Sequence, residues 1–557
     1  MSKTLEKYNS ILLKKSNYWI TSWRPYLIIV AVGLLVFGRT VFFGYTYFDD
    51  DNFILKNIDS ISKPSTIISA FHNLYYGSYY RPLLTVSFVI DALVSGKAPW
   101  MYHLSNVVYH LVTGCLVLRL LLKLKFTELI ALSMSLIFTI HPLVTQSVAW
   151  IPGRNESIHG IFVLLSLISY LNYRSSEQSK YLVSHFLFIL LALLIKETAL
   201  VIPLLIILYN ILVERKWLVP IKPAIIIGGW IFVIAAWYIM REIAFSGTKV
   251  STDIFLLSAF FSNLRVLLEA FGKIFIPIHL SPYPTFSFIP TIIGSVIVLF
   301  IFAYFLVRYK SINKLTIFAI GWIVLFILPT LFVQIFDTEN RFNYLEYRFY
   351  LPTVGFSIFL ASIFQYNLYR FKWIWKILLP IVLFLYGVLT INYAGIFHNP
   401  ISHWEHAIRM SPKSADVYFN MGIVNMEIAK DPERAKESYR QAIKLNEMNP
   451  KYHYNLGLIY LQQNLRGLAQ GEFEQTIEID STNIIAQYNL ANLYFLNNDL
   501  QKAERGWKKA LNIDSNFVYA EMRLVEFYLK EGKNDQAIYY QDRLQRAGYQ
   551  LQPPKKN

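Results

Sequence analysis

One cysteine in 557 residues, Cys115, excludes a disulfide framework, and its place inside an apolar block leaves the redox compartment open. Charge is scarce as well. Asp, Glu, Lys and Arg make up 16% of the chain, while 55% is apolar and 16% aromatic, more than a water-facing domain usually carries. No cleavage-site pattern follows the first apolar block, so that block is expected to stay as an uncleaved anchor. The apolar part shows no matched halves and no interrupted helix pairs, which argues against a transporter. The net charge of +16 would suit a nucleic-acid partner, but much of the basic excess sits at the ends of apolar blocks. There it reads as membrane topology, and no nucleic-acid partner is expected.

What the chain does have, from about residue 25 to 396, is a series of apolar blocks of about 17 to 25 residues, the length that crosses a bilayer. The blocks fall near 25–47, 101–122, 128–147, 157–173, 181–196, 198–213, 223–240, 290–307, 316–333, 349–366 and 374–396, about eleven crossings. Lys3, Lys7, Lys14, Lys15 and Arg24 precede the first and hold the N-terminus inside. The connectors Lys123/Lys125, Arg174/Lys180, Arg215/Lys216/Lys222, Arg308/Lys310/Lys314 and Arg370/Lys372/Lys376 then also fall inside. An odd number of crossings sends the C-terminal part outside. The stretch 254–279 is apolar but carries Arg265, Glu269 and Lys273 at i,i+4 spacing, which suits an interfacial or re-entrant helix better than a span; a crossing there would move the C-terminal part to the cytoplasm.

After His398 the composition turns polar and a repeat appears. Gly457, Ala491 and Val525 stand 34 residues apart, as do Ala469, Ala503 and Ala537, the period of the tetratricopeptide (TPR) helix pair. Tyr454 to Tyr460 and Tyr488 to Tyr494 read as first helices, with Phe473 and Trp507 on the second. An earlier unit has Gly422, Ala435 and Tyr439, and Trp404 with Ala407 reads as a lone second helix before it. Three good repeats, a weaker fourth and a joining half repeat are expected, forming a solenoid whose groove takes peptide segments. The expected fold is all-α: a polytopic membrane helical bundle over 1–398, with an outer loop at about 48–100, followed by an extracytoplasmic TPR α-solenoid over 399–557.

Ionisable groups at membrane depth are costly and usually functional, so chemistry is sought where polar residues gather at the outer ends of the blocks. Five clusters stand there. Asp49-Asp50-Asp51 follows the first span, with Tyr75, Tyr76, Tyr79, Tyr80 and Arg81-Pro82 in the loop behind it; adjacent carboxylates can supply a general base or share a divalent cation, or simply cap a helix. His103, Asn106 and His110 lie on one face of the second span and can bind a substrate or a metal, or bond neighbouring helices. His141 to Thr145, with Arg154, Asn155 and Glu156, ends the third span, or forms an interfacial turn at Pro142, Pro152 and Gly153. Lys196-Glu197 joins two short spans and can neutralise phosphate at the outer surface, or is no more than a topological hairpin. Asp337 to Arg341 and the run Glu346-Tyr347-Arg348-Phe349-Tyr350-Leu351-Pro352 enter the tenth, where an arginine can grip phosphate bidentately or reach back to the interface. One topology puts all five on the same side.

In this order the stretches Asp49-Asp50 with Ile54 and Asn57, Tyr80-Arg81-Pro82-Leu83, Trp100-Met-Tyr-His103-Leu-Ser-Asn106 with His110, His141-Pro142 with Gly153-Arg154, and Lys196-Glu197 resemble the transmembrane-and-TPR-containing protein O-mannosyltransferases and their bacterial relatives. The run from Glu346 to Pro352 resembles the bacterial branch. The resemblance covers spans and repeats alike, and departs from the animal members in its few repeats. It implies a GT-C fold glycosyltransferase that takes a sugar from a polyprenyl-phosphate carrier and passes it to an outside acceptor, with protein Ser/Thr hydroxyls first among acceptors and the TPR groove as their dock. Asp49 or Asp50 would be the base of an inverting displacement. Arg348 and Lys196, with Arg154 or Arg81, would meet the leaving phosphate, and His103, His141, Glu156, Glu197, Glu346 and Tyr350 would complete the substrate site. Whether Mg²⁺ or Mn²⁺ takes part stays open. A lipid or polysaccharide acceptor, and a non-catalytic scaffold working through its repeats, are the alternatives. Frequent Ile, Lys and Asn point to a bacterial inner membrane with periplasmic repeats, or to the endoplasmic-reticulum membrane in a eukaryote.

Overall fold

The computed structural model describes residues 22–74, 79–214, 221–246, 257–308, 312–332, 345–367 and 377–549. Of the residues named above, Lys3, Lys7, Lys14, Lys15, Tyr75, Tyr76, Arg215, Lys216, Lys310, Asp337, Arg341, Arg370, Lys372 and Lys376 lie outside the described residues. Every regular element in them is helical, and the chain packs as two compact units that meet in sequence at Ser411 and Pro412.

In the first unit seven helices are long and apolar enough to cross a membrane: Arg24–Phe42, Trp100–Lys123, Glu197–Glu214, Pro223–Phe245, Phe288–Val307, Lys314–Leu331 and Glu346–Gln365. Two bent pairs, Glu128–Thr139 with Pro142–Ala149 and Leu379–Gly395 with Pro400–Met410, bring the number to nine if each is one crossing, against the eleven expected. The other two expected crossings are also helices, Arg154–Ser176 and Ser179–Leu193. The first opens with Arg154, Asn155, Glu156 and His159, which lower its hydropathy, and the second is only 15 residues long. The first bend, 49°, lies at Pro142, where the missing amide and the ring break the helical ladder.

These helices share one apolar core, with Ile29, Phe37, Val107, Leu118, Phe138, Phe318, Trp322 and Val354 buried in it. The outer faces are apolar too. Phe300 is 72% exposed and Val307 80%, which suits hydrocarbon rather than water as the neighbouring phase. The polar outer loop contains an apolar helix, Pro82–Ser95, packed beside the Trp100–Lys123 helix. Stretch 254–279 forms the helix Leu257–Phe275, which is not among the candidate spans. Its Glu269 and Lys273 turn into the bundle while Arg265 is exposed. It lies so close to Phe288–Arg308 that a Cβ on Gly272 or Gly294 would strike the partner's backbone, the close approach small residues permit.

The second unit is four helix pairs: Ala415–Glu427 with Pro432–Leu445, Pro450–Gln462 with Arg466–Ile479, Ile484–Leu496 with Leu500–Ile513, and Val518–Lys530 with Asn534–Arg546. The repeat logic holds at atomic level. Gly422 lies against the Tyr439 ring and Gly457 against Phe473, where any side chain would collide, and Asp431, Asn449, Asn483 and Asp499 cap helix starts. The helix around Trp404, Pro400–Met410, packs in the first unit: His406 Nε2 meets the Leu280 carbonyl at 3.0 Å and Ser411 Oγ donates to the Tyr283 carbonyl at 2.8 Å.

Candidate active site

Beyond the first span the chain makes a tight turn that aims its carboxylates. Tyr47 and Asp49 have φ of 54° and 64°, a left-handed conformation that L residues keep only where surroundings hold it. The hold comes from Asp50. Its Oδ2 accepts the Thr46 amide at 2.5 Å and the Thr46 hydroxyl at 2.7 Å, closing the turn, while its Oδ1 is buried with no hydrogen-bond partner. Asp51 pairs with Lys56 at 2.8 Å. Asp49 is half-buried and its side chain makes no hydrogen bond or ion pair among the described residues. Burial pushes the Asp50 carboxyl up to about 7, against the lowering effect of Thr46. Burial, with the charge of Asp51 added, pushes Asp49 up to about 6.

Between the two aspartate partners Thr46 and Asp50, Phe48 is boxed in by aromatics. Its carbonyl accepts Trp150 Nε1 at 2.6 Å and its ring stacks on that indole at 5.0 Å. Tyr283, His403 and Trp404 close the box at 5.9, 5.5 and 5.5 Å between ring centroids. Trp150 in turn meets Tyr347 at 5.5 Å. Lys196 Nζ lies 5.6 Å from the Tyr347 ring centre and the Arg348 guanidinium 6.0 Å from it. A chain of ring contacts therefore runs from the aspartate turn to two cations that lie far away in sequence.

The four expected phosphate cations are not equivalent. Arg154 is fully buried: it meets Asp91 at 2.5 Å, Asn106 Oδ1 at 2.8 Å and the Tyr102 carbonyl at 2.6 Å, with Phe88 against its face at 4.5 Å. Arg81 is forked onto Glu197 at 2.7 and 3.3 Å, and Lys196 is ion-paired with Glu156. Arg348 is half-buried and has no ion pair among the described residues.

Several expected substrate contacts turn inward. His141 takes the Leu143 amide at 3.2 Å and meets the Ile274 carbonyl at 3.0 Å, capping the turn at Pro142. Tyr350 lies 2.8 Å from His110 Nδ1, and Glu346 is held by Lys273. All three side chains are fully buried. His103 Nε2 meets the Gly44 carbonyl at 3.2 Å beneath the aspartate turn, and its Nδ1 is buried without a partner. Among the described residues no group of three or more His, Cys, Asp or Glu gathers to hold a metal.

Trp150, Thr46 and Asp91 were not expected here, and Tyr347 was only part of a run. Asp91 had a legible signal, a lone carboxylate inside the apolar stretch Pro82–Ser95. Trp150 and Thr46 had none, because ring contacts and a turn closure over four residues leave no period.

Fold and site together define an all-helical, multi-pass membrane protein with a C-terminal TPR array. The family model described as TPR repeat matches residues 432–464. The chain is similar, distantly and in part, to the TMTC protein O-mannosyl-transferases. It is 32% identical over 162 residues to human Protein O-mannosyl-transferase TMTC3, 27% of this chain and 17% of that protein. A Caenorhabditis elegans protein O-mannosyl-transferase is 24% identical over 456 residues, 76% of this chain and 63% of that one. The chain thus spans less than a fifth of the length of the first curated relatives it matches. Of solved structures, the crystal structure of MamA is similar over 29% of this chain and 91% of its own, at 22% identity and a TM-score of 0.26.

Proposed function

We propose that the chain is a membrane glycosyltransferase that moves a sugar from a polyprenyl-phosphate carrier to an acceptor hydroxyl outside the cytoplasm, first a Ser or Thr of a protein. The observation that carries this reading is the ring chain Phe48–Trp150–Tyr347, which joins a carboxylate, Asp49, to an arginine, Arg348, neither of which has an ion-pair partner among the described residues. The similarity to protein O-mannosyl-transferases supports it. Asp49 takes the proton of the acceptor hydroxyl as that oxygen attacks the anomeric carbon. The bond from that carbon to the phosphate oxygen breaks, its electron pair stays on the phosphate, and the anomeric centre inverts. Arg348, with Lys196, stabilises the departing phosphate, and Asp50 holds the turn. The TPR unit brings the acceptor polypeptide. We place the protein in a bacterial inner membrane with periplasmic repeats, or in the endoplasmic-reticulum membrane in a eukaryote.

Transfer of labelled sugar from polyprenyl-phosphate donors to extracytoplasmic proteins by the purified full chain tests the proposal; a wild-type protein that consumes no such donor would sink it. In that assay Arg348→Ala is expected to lower kcat/KM by about 100-fold, chiefly through a higher donor KM, with Arg348→Lys intermediate because the forked contact is lost but the charge remains. An unchanged donor KM would remove Arg348 from the site.

The pH profile follows from the raised aspartates. The base works only when deprotonated, so the rate should climb as pH rises through about 6 to 7. Stability should move the other way. The folded state holds these protons more tightly than an unfolded chain with carboxyls near 3.8, so their contribution is full below about 4 and is lost as pH rises through about 6 to 7. Initial rates and thermal unfolding in detergent, each taken from pH 5 to 8, check both signs.

A further inference from the structure

Tyr347 and Arg348 ride on a short 3-10 turn, Glu346–Phe349, whose first residue is fully buried. Glu346 Oε1 accepts from Lys273 Nζ at 2.8 Å and from the Ser281 amide at 3.1 Å, and its Oε2 accepts from the Tyr393 hydroxyl at 3.0 Å. Lys273 also meets Glu269, one helical turn earlier, at 3.2 Å, and Glu269 accepts the Ser287 amide at 3.2 Å. Glu269, Lys273 and Glu346 are at most 1% exposed. The next residue is pinned as well, since the Tyr347 amide donates to Gln146 Oε1 at 3.1 Å. Burying such charges gives little net stability, so what the arrangement supplies is geometry.

We propose that Lys273 is a positioning residue for the donor phosphate: through Glu346 it sets the direction in which Tyr347 and Arg348 face that phosphate. This rests on the reading of Arg348 as the phosphate-binding cation. Lys273 is the shared counter-ion of two carboxylates, Glu269 on its own helix and Glu346 on the 3-10 turn. Without it Glu346 loses the cation it accepts from while Glu269, one helical turn from Arg265, stays beside it in a site where repulsion is little screened; of the two elements the four-residue turn that carries Arg348 is the shorter. A displacement of about 1 Å at such a group costs about 100-fold in rate.

The test uses the purified full chain with a polyprenyl-phosphate sugar donor, read as separate KM values for donor and acceptor, together with amide hydrogen exchange over residues 345–349. Lys273→Met is expected to raise the donor KM and lower kcat/KM by about 100-fold, to leave the acceptor KM unchanged, and to raise exchange over 345–349. Lys273→Arg should return to within about ten-fold of wild type, because a buried cation again satisfies both carboxylates. The double variant Lys273→Met with Glu346→Gln should also recover, since the like-charge pair is gone; two unrelated losses would add instead. Wild-type donor KM in Lys273→Met, or a double variant worse than the single one, overturns the inference. Should Lys273→Met fail to fold, Tyr393→Phe removes a single bond to Glu346 and is expected to raise the donor KM about 3- to 10-fold, with no change overturning the inference. If wild type transfers nothing, exchange alone decides. Unchanged protection over 345–349 in Lys273→Met overturns the positioning role, whereas lost protection upholds it and leaves the donor reading alone to fall.

Discussion

Asp49→Asn is expected to lower kcat by about 10²- to 10⁴-fold while the protein stays folded. Asparagine keeps the shape of the side chain while removing its charge and its ability to take a proton. It can also occupy the left-handed conformation at φ 64° at least as readily as aspartate. The folded state should therefore survive, and removing a half-buried carboxylate whose charge is disfavoured should leave thermal stability unchanged or slightly higher at neutral pH. Asp50→Asn separates the two roles. Its amide oxygen can accept both Thr46 bonds, but its amide nitrogen then stands where Oδ1 is buried with no hydrogen-bond partner, so a fall in activity should come with loss of the turn, read as faster amide exchange over 46–50. Single-turnover transfer and exchange on both variants check the assignment. If Asp49→Asn transfers sugar at the wild-type rate and Asp50→Asn does not, the base is Asp50.

The largest effect on stability belongs to Arg154. Arg154→Met leaves the Asp91 carboxyl buried with no counter-ion among the described residues, because both side chains are fully enclosed. Breaking a buried pair on one side costs about 3–5 kcal/mol. A double variant, Arg154→Met with Asp91→Leu, should regain most of that loss, since neither charge then remains. Thermal unfolding in detergent measures both, and the outcome decides what Arg154 is. A bolt between Pro82–Ser95 and Arg154–Ser176 predicts a stability defect that the double variant repairs. A phosphate contact predicts normal unfolding and a raised donor KM in both variants.

How far this was legible from residues alone can be followed in the same side chains. The span pattern, the break after the last apolar block and the 34-residue repeat were readable because burial in lipid and helix pairing impose a length and a period. Polar clusters near the ends of apolar blocks were readable for a related reason, the cost of polarity at depth. Which member of a cluster faces inward was not. Arg154 and Arg348 look alike as letters, and only the position of Asp91, sixty-odd residues earlier, commits one of them to the interior. His141 beside a proline looks like a ligand until its two nitrogens are found bonded to backbone. The helix Leu257–Phe275 shows the same limit. Three charges at i,i+4 spacing suited a membrane surface, yet two of them face the bundle, because Glu346 supplies a partner that no local pattern reveals.

The box around Phe48 bears on how this protein can be divided. His403 and Trp404, two of its walls, come from Pro400–Met410, the helix that follows the final apolar stretch and precedes the array. A truncated chain ending at residue 398 would look like a clean excision of the membrane half. It would in fact open one side of the ring box around Phe48, so a fragment that keeps the box closed ends no earlier than Ser411, where Ser411 Oγ still ties the helix to the Tyr283 carbonyl.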